Sequence, residues 1–174
     1  MKDYQKSFLN LAIESQALQF GEFTLKSGRQ SPYFFNAANM LKGSNLFQLA
    51  QSYIEVIIDN NIEFDCIYGP AYKGIFLGSI VATVFSEQGK NYPVSFNRKE
   101  AKDHGEGGNI IGANPSGNVL IIDDVLSAGT AVRESINSII NHNATPSSFV
   151  VGLDRQEKGV SDESASKELE NEFN

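Results

Sequence analysis

The sequence predicts an α/β protein, with a doubly wound parallel sheet, helices on both faces and a small hairpin near the N-terminus. Short apolar runs alternate with segments of helical periodicity between residues 64 and 153. The run Val119–Ile122 is wholly apolar, as is typical of a central strand buried on both faces. Three successive strand–helix–strand links favour parallel pairing.

The first 40 residues predict a helix followed by a hairpin. Asp3 can cap the helix, whose apolar residues recur at three- and four-residue steps until Gly21 ends it. Beyond it, apolar and polar residues alternate on both sides of the turn signal Ser27-Gly28. This pattern predicts strands at Phe23–Lys26 and Tyr33–Asn36.

Helices and strands alternate over the rest of the chain. Between two of the strands, residues 98–112 contain four glycines and little periodicity, which predicts a mobile loop. The predicted elements are a helix from Ser44 to Asn60, a strand Phe64–Tyr68, a helix Gly74–Gln88, strands Val94–Phe96 and Val119–Ile122, a helix Thr130–His142, a strand Phe149–Leu153 and a helix Ser164–Phe173.

Length and composition limit the class of protein. A chain of 174 residues predicts a single domain, 1–174. A net charge of −7 argues against nucleic-acid binding, and the single Cys66 excludes an internal disulfide and a multi-cysteine metal site. No apolar run is long enough to span a membrane and no signal-peptide core is present, so we expect a soluble cytoplasmic protein without a membrane partner.

The C-terminus departs from the expected pattern. The chain stops after a polar helix, whereas a doubly wound sheet normally continues into another strand. We therefore expect that Asn174 marks a truncation.

The run VLIIDDVLSAGTA, residues 119–131, contains the clearest chemical signal. Small residues from Ser127 to Thr130 lead into a helix, so several backbone N–H groups can meet one anion at the helix N-terminus. Asp123 and Asp124 could accept hydrogen bonds from sugar hydroxyls or hold Mg²⁺ through water. The alternative is that the two acids only cap the turn and that Gly129 only eases a tight connection.

This run resembles the signature of the type I phosphoribosyltransferases, whose shared substrate is 5-phosphoribosyl 1-diphosphate. Further stretches are similar to the members that act on orotate: FGEFTLKSGRQSPYFFN, GPAYKGI, FNRKEAKDHGEGG and LDRQE. The resemblance covers essentially the whole chain, although such enzymes continue beyond Asn174. It implies the type I phosphoribosyltransferase fold, Mg²⁺ as cofactor, and formation of orotidine 5′-phosphate and diphosphate in pyrimidine (UMP) biosynthesis.

The resemblance also assigns roles to residues outside this run. Tyr72 and Lys73 would bind the diphosphate, close to the strained peptide that such enzymes often have in this turn and that the resemblance places at Ala71-Tyr72. The alternative is that Lys73 is simply solvated, as a lysine near a helix start more often is. The hairpin would form a hood within residues 1–40, with backbone groups of Phe34 and Phe35 against the base and Lys26 reaching the substrates, although such a phenylalanine pair is more often just half-buried.

Arg155 follows a predicted strand at the same sheet edge. The arginine fork suits a carboxylate, and orotate carries one that uracil lacks. The alternative is an ion pair with Asp154 or Glu157. The resemblance favours the orotate contact.

The loop 98–112 concentrates basic residues in an otherwise acidic chain. Such loops are usually only solvated, but fifteen extended residues reach up to about 50 Å. Family members are dimers in which this loop closes over the partner's active site. Lys99, Lys102 and His104 would then surround the leaving diphosphate, and we expect Lys102 to have the largest catalytic effect.

The resemblance thus implies four sets of residues. Phosphoribosyl diphosphate would be bound by Lys26, Tyr72, Lys73, Arg98, Lys99, Lys102, His104, Asp123, Asp124, Val125, Leu126, Ser127, Ala128, Gly129, Thr130 and Ala131; orotate by Lys26, Phe34, Phe35, Ser127 and Arg155; catalysis would use Lys102, Lys73, Asp123 and Asp124; and Mg²⁺ would be held mainly by substrate and water, with Asp123 and Asp124 as candidate ligands. Ser127 stands where threonine is also common in this family.

Three other functions compete with this interpretation. A phosphoribosyltransferase for a purine or for uracil would not need Arg155 or the Phe34-Phe35 hood. A non-catalytic sensor of phosphoribosyl diphosphate would not need the segment from Lys102 to His104. A generic nucleotide-binding module would leave FNRKEAKDHGEGG without a role.

Overall fold

The computed structural model describes residues 1–25, 28–99 and 109–173. Its elements are α1 Asp3–Glu14, β1 Leu18–Thr24, β2 Gln30–Phe35, a 3-10 helix Ala37–Met40, α2 Asn45–Asp59, β3 Cys66–Gly69, α3 Lys73–Glu87, β4 Val94–Asn97, β5 Ile110–Gly112, β6 Asn118–Leu126, α4 Thr130–Asn141, β7 Thr145–Asp154 and α5 Ala165–Phe173. Within these described ranges, no helix is long and apolar enough to cross a membrane.

The predicted α/β architecture is confirmed. The main sheet has the strand order β5-β4-β3-β6-β7, and all its pairings are parallel except that of β4 with β5. Strands β1 and β2 form a separate antiparallel hairpin. Because parallel strands are joined by crossovers, the carboxyl ends of β3, β4, β6 and β7 meet at one edge of the sheet.

Helices cover both faces of the sheet, as the sequence predicts. Along β3, Ile67 packs into one apolar core, whereas Cys66 and Tyr68 pack into the other. The first core is built with residues of α1, α2 and α3, and the second with residues of α4 and α5. This alternation follows from the two-residue period of a strand.

The segment between β4 and β6 departs from the sequence prediction. The chain between β4 and β6 holds strand β5, and the prediction of a loop over 98–112 therefore fails at Ile110–Gly112. Two β-branched residues are too short a run for a strand to be recognised from sequence, but β4 offers them an open edge. The pairing extends to a hydrogen bond of 2.8 Å from Arg98 N to Asn109 O.

The β4–β5 pairing also shortens the reach expected for the loop. Because Arg98 and Asn109 are hydrogen-bonded, the ten residues between them can extend at most about 20 Å from that point. A reach of about 50 Å would require that one end of the loop 98–112 were not held by the sheet.

The N-terminal elements are those predicted, with shifted bounds. Helix α1 ends at Glu14 because Gln16 adopts a left-handed φ of 57°, so the chain enters β1 before Gly21. Lys2, rather than Asp3, is the N-cap residue, and its backbone N–H donates to the Gln5 side chain. The hairpin strands begin five and three residues earlier than the predicted Phe23 and Tyr33.

Tight packing joins the end of β3 to the start of α3. A methyl group on Gly69 would lie 2.1 Å from the backbone oxygen of Gly74. We predict that Gly69→Ala lowers the free energy of unfolding by about 3 kcal/mol, because backbone must move to admit the added atom. Urea denaturation measures this change. The control Gly89→Ala, where a methyl group meets open space at a φ of 79°, should cost only about 1 kcal/mol. Equal losses in the two variants would contradict the prediction.

Candidate active site

The acidic pair lies inside strand β6, not after it. The sequence predicts that this strand stops at Ile122, but pairing with β7 continues to Leu126. Asp123 and Asp124 are therefore fixed by the sheet, and Asp124 N donates to Asp123 Oδ1 at 2.9 Å. The hydroxyl of Tyr53 on α2 donates to the backbone oxygen of Asp123 at 2.9 Å and braces the strand from the side.

Lys73 contacts this acidic pair from the turn that follows the neighbouring strand β3. Lys73 is the first residue of α3, and its Nζ lies 2.6 Å from Asp124 Oδ2. The Asp124 side chain is 9% exposed, whereas that of Lys73 is 40% exposed. The lysine thus has room to face a ligand while it neutralises a carboxylate that is almost fully buried.

The two carboxyl groups differ in their electrostatics. Burial raises the pKa of Asp123 to about 7, and the negative charge of Asp124 acts in the same direction. The hydrogen bond from Asp124 N and the charge of Lys73 oppose this rise. Near neutral pH, Asp123 is therefore only partly ionised, and a hydrogen-bond donor from a ligand would favour loss of its proton.

The segment from Ser127 to Thr130 has the backbone of an anion-binding turn. Gly129 has a φ of 81°, a left-handed conformation that favours glycine. Helix α4 begins directly after it, and the first N–H groups of a helix have no acceptor within that helix. Ala128 and Thr130 are exposed and Gly129 between them is buried, so the surface of this turn is formed by Ala128 and Thr130.

The turn between β3 and α3 forms a second wall. The Ala71–Tyr72 peptide bond is cis, and Ala71 N donates to the Asn97 side chain at the end of β4, at 2.8 Å. The Tyr72 ring is 67% exposed, and Lys99 Nζ lies 4.9 Å from its centroid.

A cavity of about 430 Å³ opens between this turn and the start of α4, within the size range of small-molecule sites. Its lining includes predicted ligands from two distant segments, Lys99 from one and Thr130 and Ala131 from the other. Its lining residues are Pro70, Ala71, Asn97, Lys99, Thr130, Ala131 and Glu134.

Arg155 is engaged in the ion pair that the sequence left open. Its Nε pairs with Glu157, which also pairs with Arg29, and its Nη2 donates to Ser31 Oγ at 3.0 Å. The guanidinium lies 4.5 Å from the centroid of the Tyr33 ring. Arg155 therefore ties the hairpin to the end of β7, and its predicted contact with orotate stays a prediction.

The two hairpin phenylalanines lie in different surroundings. Phe35 is buried and packs on Phe8 of α1, with 6.3 Å between ring centroids. Phe34 is 40% exposed and contacts Phe23, at 5.6 Å. Phe34 is thus the member of the pair with a surface open to a flat ligand.

Some of the predicted ligands lie outside the described residues. These are Lys26, which follows β1 in the sequence, and Lys102 and His104 of the basic segment. At the base of that segment, Arg98 is half-buried and Lys99 is exposed.

Sequence reasoning missed several side chains that support the site. Tyr53, Asn97 and Ser31 reach it from other elements, so no local spacing marks them. Arg133 is a similar case: its Nη1 donates to the Ala128 oxygen at 3.2 Å. Only its place one turn into α4 could have suggested that contact.

Comparison with known proteins gives consistent results. The family model described as "Phosphoribosyl transferase domain" matches residues 36–173. The chain is 52% identical to an orotate phosphoribosyltransferase of Marinobacter nauticus over 99% of this chain and 82% of that protein. It is 51% identical to one of Neisseria meningitidis, over 99% and 81%. The crystal structure of the Francisella tularensis orotate phosphoribosyltransferase superposes with a TM-score of 0.82 at 44% identity, covering 95% of this chain and 80% of that one.

The raised pKa of Asp123 predicts a pH-dependent stability. The unfolded carboxyl ionises near its ordinary value of 3.8, whereas the folded one keeps its proton up to about pH 7. The stability that this proton contributes is complete below pH 3.8 and is lost as the pH rises to about 7. Asp123→Asn cannot ionise, so its stability relative to wild type should increase between pH 5 and pH 8, by on the order of 2 kcal/mol.

Urea unfolding at both pH values measures this difference. Asp162→Asn is the matched control, because the Asp162 side chain is 94% exposed and its replacement should shift stability little at either pH. A relative stability of Asp123→Asn that does not vary with pH would contradict the prediction.

Proposed function

The chain belongs to the phosphoribosyltransferase family and, within it, to the orotate phosphoribosyltransferases, and from this membership we propose how its residues perform the reaction. The enzyme transfers the phosphoribosyl group of 5-phosphoribosyl 1-diphosphate to orotate. The products are orotidine 5′-phosphate and diphosphate. The observation that best supports the residue roles below is the 2.6 Å contact of Lys73 with Asp124 beside the anion-binding turn.

The two ends of phosphoribosyl diphosphate would bind to different turns at the sheet edge. The 5′-phosphate would accept hydrogen bonds from the backbone of Ser127–Thr130 at the start of α4. The ribose hydroxyls would donate to Asp123 and Asp124. The diphosphate would meet Tyr72 and Lys73, joined by the basic residues Lys26, Arg98, Lys99, Lys102 and His104.

The reaction forms a bond from a ring nitrogen of orotate to ribose C1, breaks the bond from C1 to diphosphate and releases the proton of that nitrogen to solvent. Positive charge develops on the sugar ring and negative charge on the leaving group. Lys73 is proposed to shift from Asp124 to the diphosphate, which leaves a full carboxylate charge beside the cationic sugar. Lys102 would neutralise the leaving group from the basic segment.

Magnesium fits this site only as an ion shared with the substrate. Among the described residues, no group of three or more His, Cys, Asp or Glu side chains could hold a metal. Asp123 and Asp124 could supply two oxygens, directly or through water, and the other ligands would come from substrate and water. When bound, the ion would neutralise diphosphate charge.

Arg155 and the hairpin would recognise the base. The exposed face of Phe34 offers an apolar surface to the orotate ring, and Arg155 lies at the end of β7 on the same side as the turn containing Ser127. Within the described residues its Nη1 makes no hydrogen bond, so that nitrogen can donate to the orotate carboxylate while Nε keeps its pair with Glu157.

Assembly and location are further parts of the proposal. A homodimer would let the segment 98–112 of one protomer approach the partner's site, and the maximum reach of about 20 Å sets how close the two sites must lie. A cytoplasmic location agrees with a reaction on small charged metabolites.

The base specificity can be tested directly. We predict that orotate is consumed in the presence of phosphoribosyl diphosphate and Mg²⁺, whereas uracil and hypoxanthine are not. The loss of orotate absorbance measures the reaction. Turnover of another base, or tight binding of phosphoribosyl diphosphate without any turnover, would contradict the assignment; the second result would indicate a sensor.

The role of Lys73 predicts a selective loss. Lys73→Gln should lower kcat/KM for phosphoribosyl diphosphate by about 100-fold or more, because one cation aimed at the leaving group is removed. Lys6→Gln, which removes an exposed lysine paired with Asp3, is the control and should leave kcat/KM unchanged. Steady-state kinetics on both variants measure the effect. A change below threefold in Lys73→Gln would argue against this role.

A further inference from the structure

We propose that Arg133 is a positioning residue for the anion-binding turn, holding the Ala128 carbonyl so that the Gly129 N–H faces the 5′-phosphate. The inference rests on the proposed function, because it takes Ser127–Thr130 as the 5′-phosphate site. It adds a residue that lies outside the motif and would not touch the substrate.

All three nitrogens of the Arg133 guanidinium donate hydrogen bonds. Its Nη1 donates to Ala128 O at 3.2 Å, its Nη2 to Glu168 Oε2 at 3.0 Å, and its Nε to Glu172 Oε2 at 3.0 Å. The side chain is 21% exposed. One nitrogen of the guanidinium thus contacts the turn, and the other two contact side chains of α5.

The geometry of the peptide unit links this contact to the ligand. In a trans peptide the C=O and the following N–H point in opposite directions. Because Arg133 holds the Ala128 C=O on one side of the turn, the Gly129 N–H faces the other side. A methyl group on Gly129 would lie 2.7 Å from Arg133 Nη1, so the guanidinium packs directly against this glycine.

The surroundings of Arg133 compensate an unfavourable position. A cation in the first turn of a helix is opposed by the helix dipole. Glu168 and Glu172 offset this cost and orient the guanidinium. Hydrogen bonds from Ser161 and from the backbone N–H of Val160, together with Arg133, lower the pKa of Glu168 to about 2. Glu168 therefore stays charged at every pH at which the enzyme would work.

The competing explanation is that Arg133 only fastens α5 to α4. The two roles differ in which ligands they affect. If Arg133 only holds the two helices together, its loss lowers stability or weakens the binding of all substrates alike. If it positions the turn, its loss weakens the binding of molecules with a 5′-phosphate. Phosphoribosyl diphosphate and orotidine 5′-phosphate carry that group, and orotate and diphosphate do not.

The test compares Arg133→Ala and Arg133→Lys with a control, Glu163→Gln. Glu163 pairs with Lys167 near the start of α5, and it is not among the hydrogen-bond partners of Arg133 in the part of the chain that the structure describes. Calorimetry measures the Kd of ribose 5-phosphate, and steady-state kinetics in both directions give the four KM values. Thermal unfolding shows whether each variant is folded.

We expect the Kd of ribose 5-phosphate and the KM values of the two 5′-phosphorylated substrates to rise about tenfold in Arg133→Ala, the cost of one hydrogen bond of about 1.4 kcal/mol. The KM values for orotate and diphosphate should stay within twofold, and Glu163→Gln should match wild type. Arg133→Lys should also weaken ribose 5-phosphate binding, because lysine has no fork to hold the carbonyl and both carboxylates together.

Three results would overturn the inference: an equal rise in all four KM values, an unchanged Kd in Arg133→Ala, or wild-type affinity in Arg133→Lys. If Arg133→Ala does not fold, the Arg133→Lys result decides. If wild type shows no turnover, the proposed function fails, yet weaker ribose 5-phosphate binding in the variants would still support the role of Arg133. If wild type turns over but does not bind ribose 5-phosphate, only the inference fails.

Discussion

The parallel register between β3 and β6 is the constraint on which the site depends. Cys66 pairs with Val119 and Tyr68 with Ile121, so the turn after β3 ends beside the acidic pair of β6. This alignment brings Lys73 to Asp124 across the sheet edge. A slip of one residue would exchange the faces of β6 and move its buried side chains between the two cores. The apolar residues that stabilise the fold therefore also fix the distance between the charged groups.

In the proposed function, the same edge binds a highly charged anion although two carboxylates lie on it. The structure limits the repulsion in two ways. Lys73 neutralises Asp124, and the raised pKa lets Asp123 keep part of its proton near neutral pH. A ligand can reverse both effects. A diphosphate would compete with Asp124 for Lys73, and sugar hydroxyls would favour the ionised form of Asp123. The acids would then be most strongly charged when a cationic sugar forms beside them.

The sequence predicted those parts of the site that depend on local information. The apolar run of β6, the small residues before α4 and the helix that follows are properties of adjacent residues, and the common sheet edge follows from parallel strands. What it missed depends on contacts between distant segments. Strand β5 forms because the edge of β4 is open to pairing, and the position of Arg155 is set by Glu157 together with Ser31 of the hairpin. The resemblance assigned roles to residues, but it gave no partners for Arg133, which lie 35 and 39 positions further along the chain.

The spacing of the two turns itself restricts the ligand. Neighbouring strands lie about 4.8 Å apart, so the turn after β3 and the turn after β6 present their donors to positions on either side of one small ring. A pentose with an anionic group at each end can contact both turns, whereas a molecule with a single phosphate reaches only one. In the proposed function, binding of both ends would hold C1 between Lys73 and the acidic pair, and such positioning accounts for a large part of catalysis in group transfer. Asn97 holds the first of these turns through one hydrogen bond and Arg133 the second, and in the proposed roles these two contacts would keep the spacing between the turns constant.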